Sequence, residues 1–226
     1  MALGSNKREF PAIETVKGGP LNDLIWGLRP HIMFRLANNV ADEETITFGD
    51  EVYEWDRSAN GVDTAGAIAI TGHADDTAAN AAPAFATAFN ANTKYPYTAY
   101  NLGAGKVSIV RKTAGEPEAV VVSETMAGAN NGWVGTQIKY GVEPTAGPMI
   151  RTVDADDVVL NEVRIYVDER LPKLNFFTYN LLNTNSTLKT DYDGVVTFNA
   201  ARKEILMDNS GTNDLTLNIR IVFKVS

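Results

Sequence analysis

Cysteine is absent from this 226-residue chain. That excludes thiol catalysis, thiolate metal sites and a disulfide framework, and it leaves the redox compartment open, because a thiol-free chain is compatible with any of them. Histidine is nearly absent: His31 and His73 are the only two. They stand far apart, with no spacing that brings a second imidazole to the same ion, so neither reads as a metal ligand. No run of about 18 apolar residues occurs, which a membrane-spanning helix needs, so no membrane partner is expected. The opening stretch MALGSNKREFPAIETVKGG has no apolar signal-peptide core, and synthesis and folding in the cytosol is the expectation. Positive charge is in deficit. Lys and Arg number 20 against 28 Asp and Glu, a formal net charge of −8, and the basic residues are scattered. Nucleic-acid affinity rests on clustered Lys and Arg that displace phosphate counterions, so a nucleic-acid partner is not expected either.

What the chain does have is strand patterning broken by frequent turns. It reads as mainly β, with sandwich or barrel-like sheets, one short Ala-rich helix and an extended N-terminal arm. Three zones are expected: the arm over 1–40, a β-rich module with the helix over 41–148, and a C-terminal antiparallel β region over 149–226. In the arm, Pro11, Pro20, Pro30 and the Gly18-Gly19 pair punctuate the backbone too often for a long helix or a central strand. LNDLIWGL nevertheless places Leu21, Leu24, Ile25 and Leu28 at i, i+3, i+4 and i+7, which predicts about two turns of helix with one apolar face, stopped by Gly27 and Pro30. A segment this short makes no core of its own. It is expected to dock on a neighbouring subunit, with Leu21, Leu24, Ile25, Trp26 and Leu28 as the subunit-contact set.

In the middle zone TITFGDEVYEW predicts two strands around a Gly49-Asp50 turn, because Gly accepts positive φ in a two-residue hairpin loop. AGAIAIT predicts a small-residue strand, and KVSIVRKTAGEPEAVVVSE two β-branched runs joined by a turn at Gly115-Glu116-Pro117. Asn131-Gly132 marks a further turn before Trp133. Between them lies TGHADDTAANAAPAFATAFNANT, where Ala82, Phe85, Ala86 and Phe89 fall at helical spacing after an Asp75 or Asp76 N-cap. A helix surfaced by methyl groups lies close on a sheet, with two phenylalanines as anchors. Pro83 either kinks this helix or begins its regular part. In the last zone DLTLNIRIVFKV alternates Leu215, Leu217, Ile219, Ile221, Phe223 and Val225 with Thr216, Asn218, Arg220 and Lys224, an amphipathic strand expected to close or edge a sheet.

The succession TITFGDEVYEW, AIAITG, DDTAANAAPAFATAFNA and KVSIVRKTAGEPEAVVVSE, over residues 45–133, resembles a module of tailed-bacteriophage virion proteins, including head decoration, tail and fibre components. In those a β-hairpin, a Gly-ended strand, an Ala/Thr/Asn-rich helix and a further hairpin follow in that order, and Phe89-Asn90-Ala91 resembles a helix end that often reads Ile-Asn-Ala. The resemblance implies a non-enzymatic virion structural protein, foremost a capsid decoration or cement protein, made in the bacterial host cytoplasm and resident in the virion. Its implied partners are other virion subunits, the major capsid protein first, and further copies of itself, a trimer foremost. A neck, tail or fibre component is the alternative, and a carbohydrate-binding adhesin module a further one.

Candidate chemistry is outweighed in each case by a plainer reading. Asp154, Asp156 and Asp157, Asp191 and Asp193, and Asp208, Asn209, Asn213 and Asp214 offer oxygen ligands, but none completes a twelve-residue Ca²⁺ loop with its terminal Glu, and these residues are ordinary turn formers. Gly103-Ala104-Gly105-Lys106 lacks the spacing of a phosphate loop and precedes a strand, so it reads as a hairpin turn. Tyr95, Tyr97 and Tyr100 offer a sugar or base platform, yet without interleaved basic residues they read as packing. No catalytic residue, metal or cofactor is assigned.

Overall fold

A computed structural model describes residues 26–71, 77–139, 141–145, 149–153, 162–167, 174–182, 195–199, 201–208 and 217–225. The fold is mainly β with a single short helix among the described residues. The chain divides into two compact units, one of residues 30–139 and one of residues 1–29 with 140–226. This differs from the expected division at both ends. Residues 30–40 belong to the body of the first unit, and the second unit is discontinuous, taking the N-terminal segment together with everything after 139.

The first described element, β1 (Trp26–Leu28), belongs to the second unit. In the unit of 30–139 the strands form two four-stranded sheets. One contains β2 (His31–Arg35), flanked by later strands on both sides. The other is built on β3 (Thr45–Phe48) and β4 (Glu51–Trp55), antiparallel around Gly49-Asp50 as expected, with Gly49 at φ 66. The small-residue strand β5 (Ile68–Ile70) pairs parallel to β4. Helix α1 (Ala78–Ala91) follows, then β6 (Tyr97–Gly103) and β7 (Lys106–Arg111), an antiparallel hairpin turning at Ala104-Gly105. The strands β8 (Val122–Glu124) and β9 (Gly132–Lys139) complete the unit.

The sheet orders are β6-β7-β2-β9 and β5-β4-β3-β8. Two expectations are corrected here. The segment that ends the expected arm is an interior strand, with β7 and β9 on either side and Ile32 and Phe34 buried, because Pro30 precedes the strand and leaves all of its ladder donors intact. The runs KVSIV and AVVVS do not return on one another: β7 pairs with β2 and β6, while β8 crosses to the other sheet and pairs with β3.

Both sheets and α1 enclose one core. Phe34 from β2, Phe48 from β3, Tyr53 and Trp55 from β4, Tyr97 from β6, and Phe85 and Phe89 from α1 meet in it. Phe85 lies edge-on to Phe34 at 5.3 Å and to Tyr53 at 5.7 Å, so the helix is anchored to a strand of each sheet. Ala81, Ala82 and Ala86 are buried beside it, and their small side chains let the helix axis come close to the strands. The N-cap is Thr77, without a side-chain capping bond, and Asp75 and Asp76 lie outside the described residues. Pro83 sits inside a helix that runs through it. It removes one backbone donor and costs about 3 kcal/mol, offset by the burial of Phe85 and Phe89 at about 1.5–3 kcal/mol each.

In the other unit β1 pairs with β10 (Val142–Thr145). A second sheet has β16 (Leu217–Val225) between β11 (Met149–Val153) and β13 (Leu174–Leu182). The amphipathic C-terminal strand is therefore central in its sheet rather than at an edge, with Ile221 in register with both Met149 and Tyr179. A third sheet places β15 (Glu204–Asp208) between β12 (Glu162–Tyr166) and β14 (Val196–Asn199). Leu28 is fully buried and bridges to Val167, and Arg29 is 1% exposed. Arg29 Nε donates to the Val167 carbonyl at 2.8 Å and Nη2 to the Arg202 carbonyl at 2.9 Å, while its guanidinium lies 5.5 Å from the Tyr166 ring centre. The expected helix over 21–28 is thus corrected where it is described: residues 26–28 are strand, since a period match over eight residues does not outweigh backbone pairing partners elsewhere in the chain.

Candidate functional site

The polar residues with the most developed geometry are carboxylates and amides that hold loops to strands in the unit of 30–139. Glu54 on β4 is 1% exposed, yet both its oxygens are engaged: Oε1 accepts from the Asp63 amide at 2.5 Å and Oε2 from the Thr64 amide at 2.9 Å. Burial opposes its charge, but the hydrogen bonds from Thr64 and Asp63 outweigh burial and leave its pKa lowered. The Glu44 carboxylate likewise binds backbone, accepting from the amides of Ala41 at 2.9 Å and Ala127 at 2.6 Å. Asp42 accepts from the Arg57 amide at 2.6 Å and from Ser58 Oγ at 2.5 Å, and these bonds hold it below the ordinary aspartate range. Asp42 fastens the 56–64 loop to the 41–44 turn, Glu54 fastens the same loop to β4, and Glu44 fastens Ala127 to the turn.

Glu43 stands in the same turn with φ 67 and a raised pKa, because its carboxyl contacts that of Asp63 and also feels Asp42 and Glu54. A raised acid contributes stability that is full below its unfolded value, 4.5 here, and is lost as pH rises through the folded value. Asp42 and Glu54 run the other way, their contributions being lost as pH falls through their lowered folded values. Glu43→Gln removes the Glu43–Asp63 repulsion. It is expected to raise the melting temperature at pH 7, with the difference from the parent protein vanishing below about pH 4 as Glu43 itself becomes neutral. Equal melting temperatures at pH 7 would contradict the pairing.

Asparagines make the remaining ties. Asn90, in the Phe89-Asn90-Ala91 helix end, pairs with Ala99 of β6 as a strand would: its Nδ2 donates to the Ala99 carbonyl at 2.8 Å and its Oδ1 accepts from the Ala99 amide at 2.8 Å. Asn131 Oδ1 accepts from the Ala37 and Asn38 amides at 2.7 and 2.9 Å, and Nδ2 donates to the carbonyls of Asn38 and Asn39. Asn92 Nδ2 donates to Glu51 at 2.9 Å and to the Tyr53 hydroxyl at 3.2 Å. Burial pushes the Tyr53 hydroxyl up to about 12. At the hairpin turn Lys94 Nζ sits 2.7 Å from Asp50 and 2.5 Å from Glu51, which raises its pKa.

No protein-family model, curated protein or solved structure matches the chain.

Of the residues singled out in the sequence, Leu21, Leu24 and Ile25 lie outside the described residues, as do His73, Asp154, Asp156, Asp157, Asp191, Asp193, Asn209, Asn213 and Asp214. Trp26 opens β1, its backbone in register with Thr145. Leu28 is corrected: it is core of its own unit and presents no surface to a neighbour. His31 is buried in β2. The tyrosines make no shared platform. Tyr97 is buried, Tyr100 lies three residues along the same strand and so on its opposite face, and Tyr95 bonds Asp50 through its hydroxyl. Gly103-Ala104-Gly105 is a hairpin turn with all three φ angles positive. Among the described residues no group of three or more His, Asp or Glu is placed to hold a metal ion, and no helix is long and apolar enough to cross a membrane. The loop-holding carboxylates were missed in the sequence because nothing in the spacing of Glu44 and Glu54 distinguishes them from surface acids.

Proposed function

We propose that this chain is a non-enzymatic structural subunit of a tailed-phage virion, a capsid decoration or cement protein. The observation that carries the reading is the succession of hairpin β3–β4, strand β5 and helix α1, with Asn90 of the Phe-Asn-Ala helix end bonded to β6; the further hairpin over KVSIVRKTAGEPEAVVVSE is not formed, β7 returning on β6 instead of β8. The acidic and amide side chains of this unit support it further, since they are occupied in fastening backbone and so serve rigidity. A rigid block repeated by symmetry adds binding free energy only to the assembled shell, which stabilises that shell against loss of subunits. The N-terminal segment carrying Leu21, Leu24, Ile25 and Trp26 is the proposed clamp on a neighbouring subunit, the major capsid protein or another copy.

Deleting residues 1–25 removes Leu21, Leu24 and Ile25 and spares β1, Leu28 and Arg29. The truncated protein is expected to remain folded and to lose most of its incorporation into particles, measured by co-sedimentation with assembled heads. Retention at the full-length level would sink the clamp. Immuno-gold labelling of virions tests the placement, and label confined to the tail would replace the decoration reading with a tail component.

A further inference from the structure

Two Asn-Gly pairs occur in the described residues, Asn60-Gly61 and Asn131-Gly132, and their surroundings differ. An Asn-Gly pair is the sequence most open to intramolecular attack of the glycine nitrogen on the asparagine side-chain carbonyl, since glycine has no Cβ to obstruct the ring. At Asn131 the amide is held by four backbone groups of residues 37–39 and turns toward Gly132 only by breaking them. At Asn60 the arrangement favours reaction. Ser58 Oγ gives its single proton to Asp42, so the Asn60 amide turns its nitrogen to Ser58 Oγ at 2.7 Å. That nitrogen also lies 3.2 Å from Asp56 Oδ1 and 3.2 Å from the Gly61 carbonyl oxygen, which folds the side chain over its C-terminal neighbour. The Gly61 N–H donates to the same Asp56 Oδ1 at 3.3 Å. One carboxylate oxygen thus touches both the attacking and the leaving nitrogen. Gly61 has φ 94, and nothing lies within 4 Å of where a Cβ would stand.

We propose that Asn60-Gly61 is a self-modification site at which Asp56 acts as the proton carrier. The Gly61 nitrogen bonds to Asn60 Cγ and the Cγ–Nδ2 bond breaks. The Gly61 proton passes through Asp56 Oδ1 to the leaving nitrogen, which departs as ammonia and leaves a cyclic imide. Water then opens the imide at either carbonyl, giving aspartate or isoaspartate. The product adds one negative charge to the loop that Asp42 and Glu54 hold. A carboxylate placed at both nitrogens is general acid–base catalysis, which contributes about 10²–10⁴-fold in rate.

The test is peptide mapping by mass spectrometry of the full chain aged in native buffer and in urea, following Asn60 and Asn131 together. Asn60 is expected to convert roughly 100-fold faster than Asn131 in the native protein, and faster there than in urea, because only the fold supplies Asp56. Asp56→Asn is expected to slow Asn60 by a comparable factor while Asn131 stays slow, the latter reporting an intact fold. An Asn60 rate unchanged by Asp56→Asn, or Asn131 keeping pace with Asn60 in native buffer, overturns the proposal. Where Asp56→Asn loosens the fold, seen as acceleration at Asn131, the parent protein decides: a native Asn60 rate no faster than the rate in urea overturns it.

Discussion

Phe85→Ala is expected to lower the unfolding free energy of the unit by about 3–5 kcal/mol, the range for truncating a fully buried aromatic. The side chain is 0% exposed and lies where both sheets and the helix meet. Its ring is 5.3 Å from Phe34, 5.7 Å from Tyr53, 6.2 Å from Trp55, 6.0 Å from Phe89 and 6.5 Å from Trp133. Truncation leaves a cavity walled by aromatic rings that collapse poorly, and it halves the anchoring of a helix that already carries Pro83 in its interior. Helix content should fall along with stability. Urea unfolding followed by circular dichroism measures both, and Phe85→Leu serves as the milder comparison, expected at less than half the loss. A cost under about 1 kcal/mol for Phe85→Ala would mean that α1 is peripheral to the core.

Gly105→Ala is expected to cost several kcal/mol, and Gly103→Ala only about 1–2 kcal/mol, although both glycines belong to one turn and have φ of 74 and 83. The conformational penalty for an L residue is shared. What differs is space. A Cβ at Gly105 falls 2.0 Å from the Leu36 carbonyl oxygen and 3.0 Å from the Ala78 Cβ, whereas a Cβ at Gly103 meets nothing within 4 Å. The clash at Gly105 forces apart the Leu36 amide and the Gly105 carbonyl, which bond at 2.8 Å, and disturbs the first turn of α1. Thermal unfolding of the two variants side by side separates strain from contact. Equal losses would show that the close approach to Leu36 contributes nothing.

The contrast between these glycines marks how far local reading reaches. Gly49-Asp50 and Ala104-Gly105 were legible as turns because the need for positive φ is a property of a few adjacent residues. The face of α1 was legible because Ala82, Phe85, Ala86 and Phe89 repeat at the helical period. Leu28 misled the same reasoning: eight residues with four apolar positions satisfied a helix, and the decision between helix and strand at Trp26–Leu28 lay with Thr145 and Val142, over a hundred residues away. Asn131-Gly132 announced a turn, but its side-chain bonds to residues 37–39 were invisible.

By itself, then, the sequence determined the mainly-β class, helix α1 with its buried face, the turns of the β3–β4 and β6–β7 hairpins and the amphipathic pattern of β16, since each depends on periodicity or turn chemistry within a few residues. Tertiary structure alone decided that β2 and β16 are interior strands, that β8 leaves β7 for the other sheet, that Glu44 and Glu54 turn inward to bind backbone amides, and that Asp56 stands against both nitrogens of Asn60-Gly61. Those outcomes rest on which distant backbone groups and charges are brought together when the chain closes, and loop closure between remote segments leaves no periodic trace in the residues it joins.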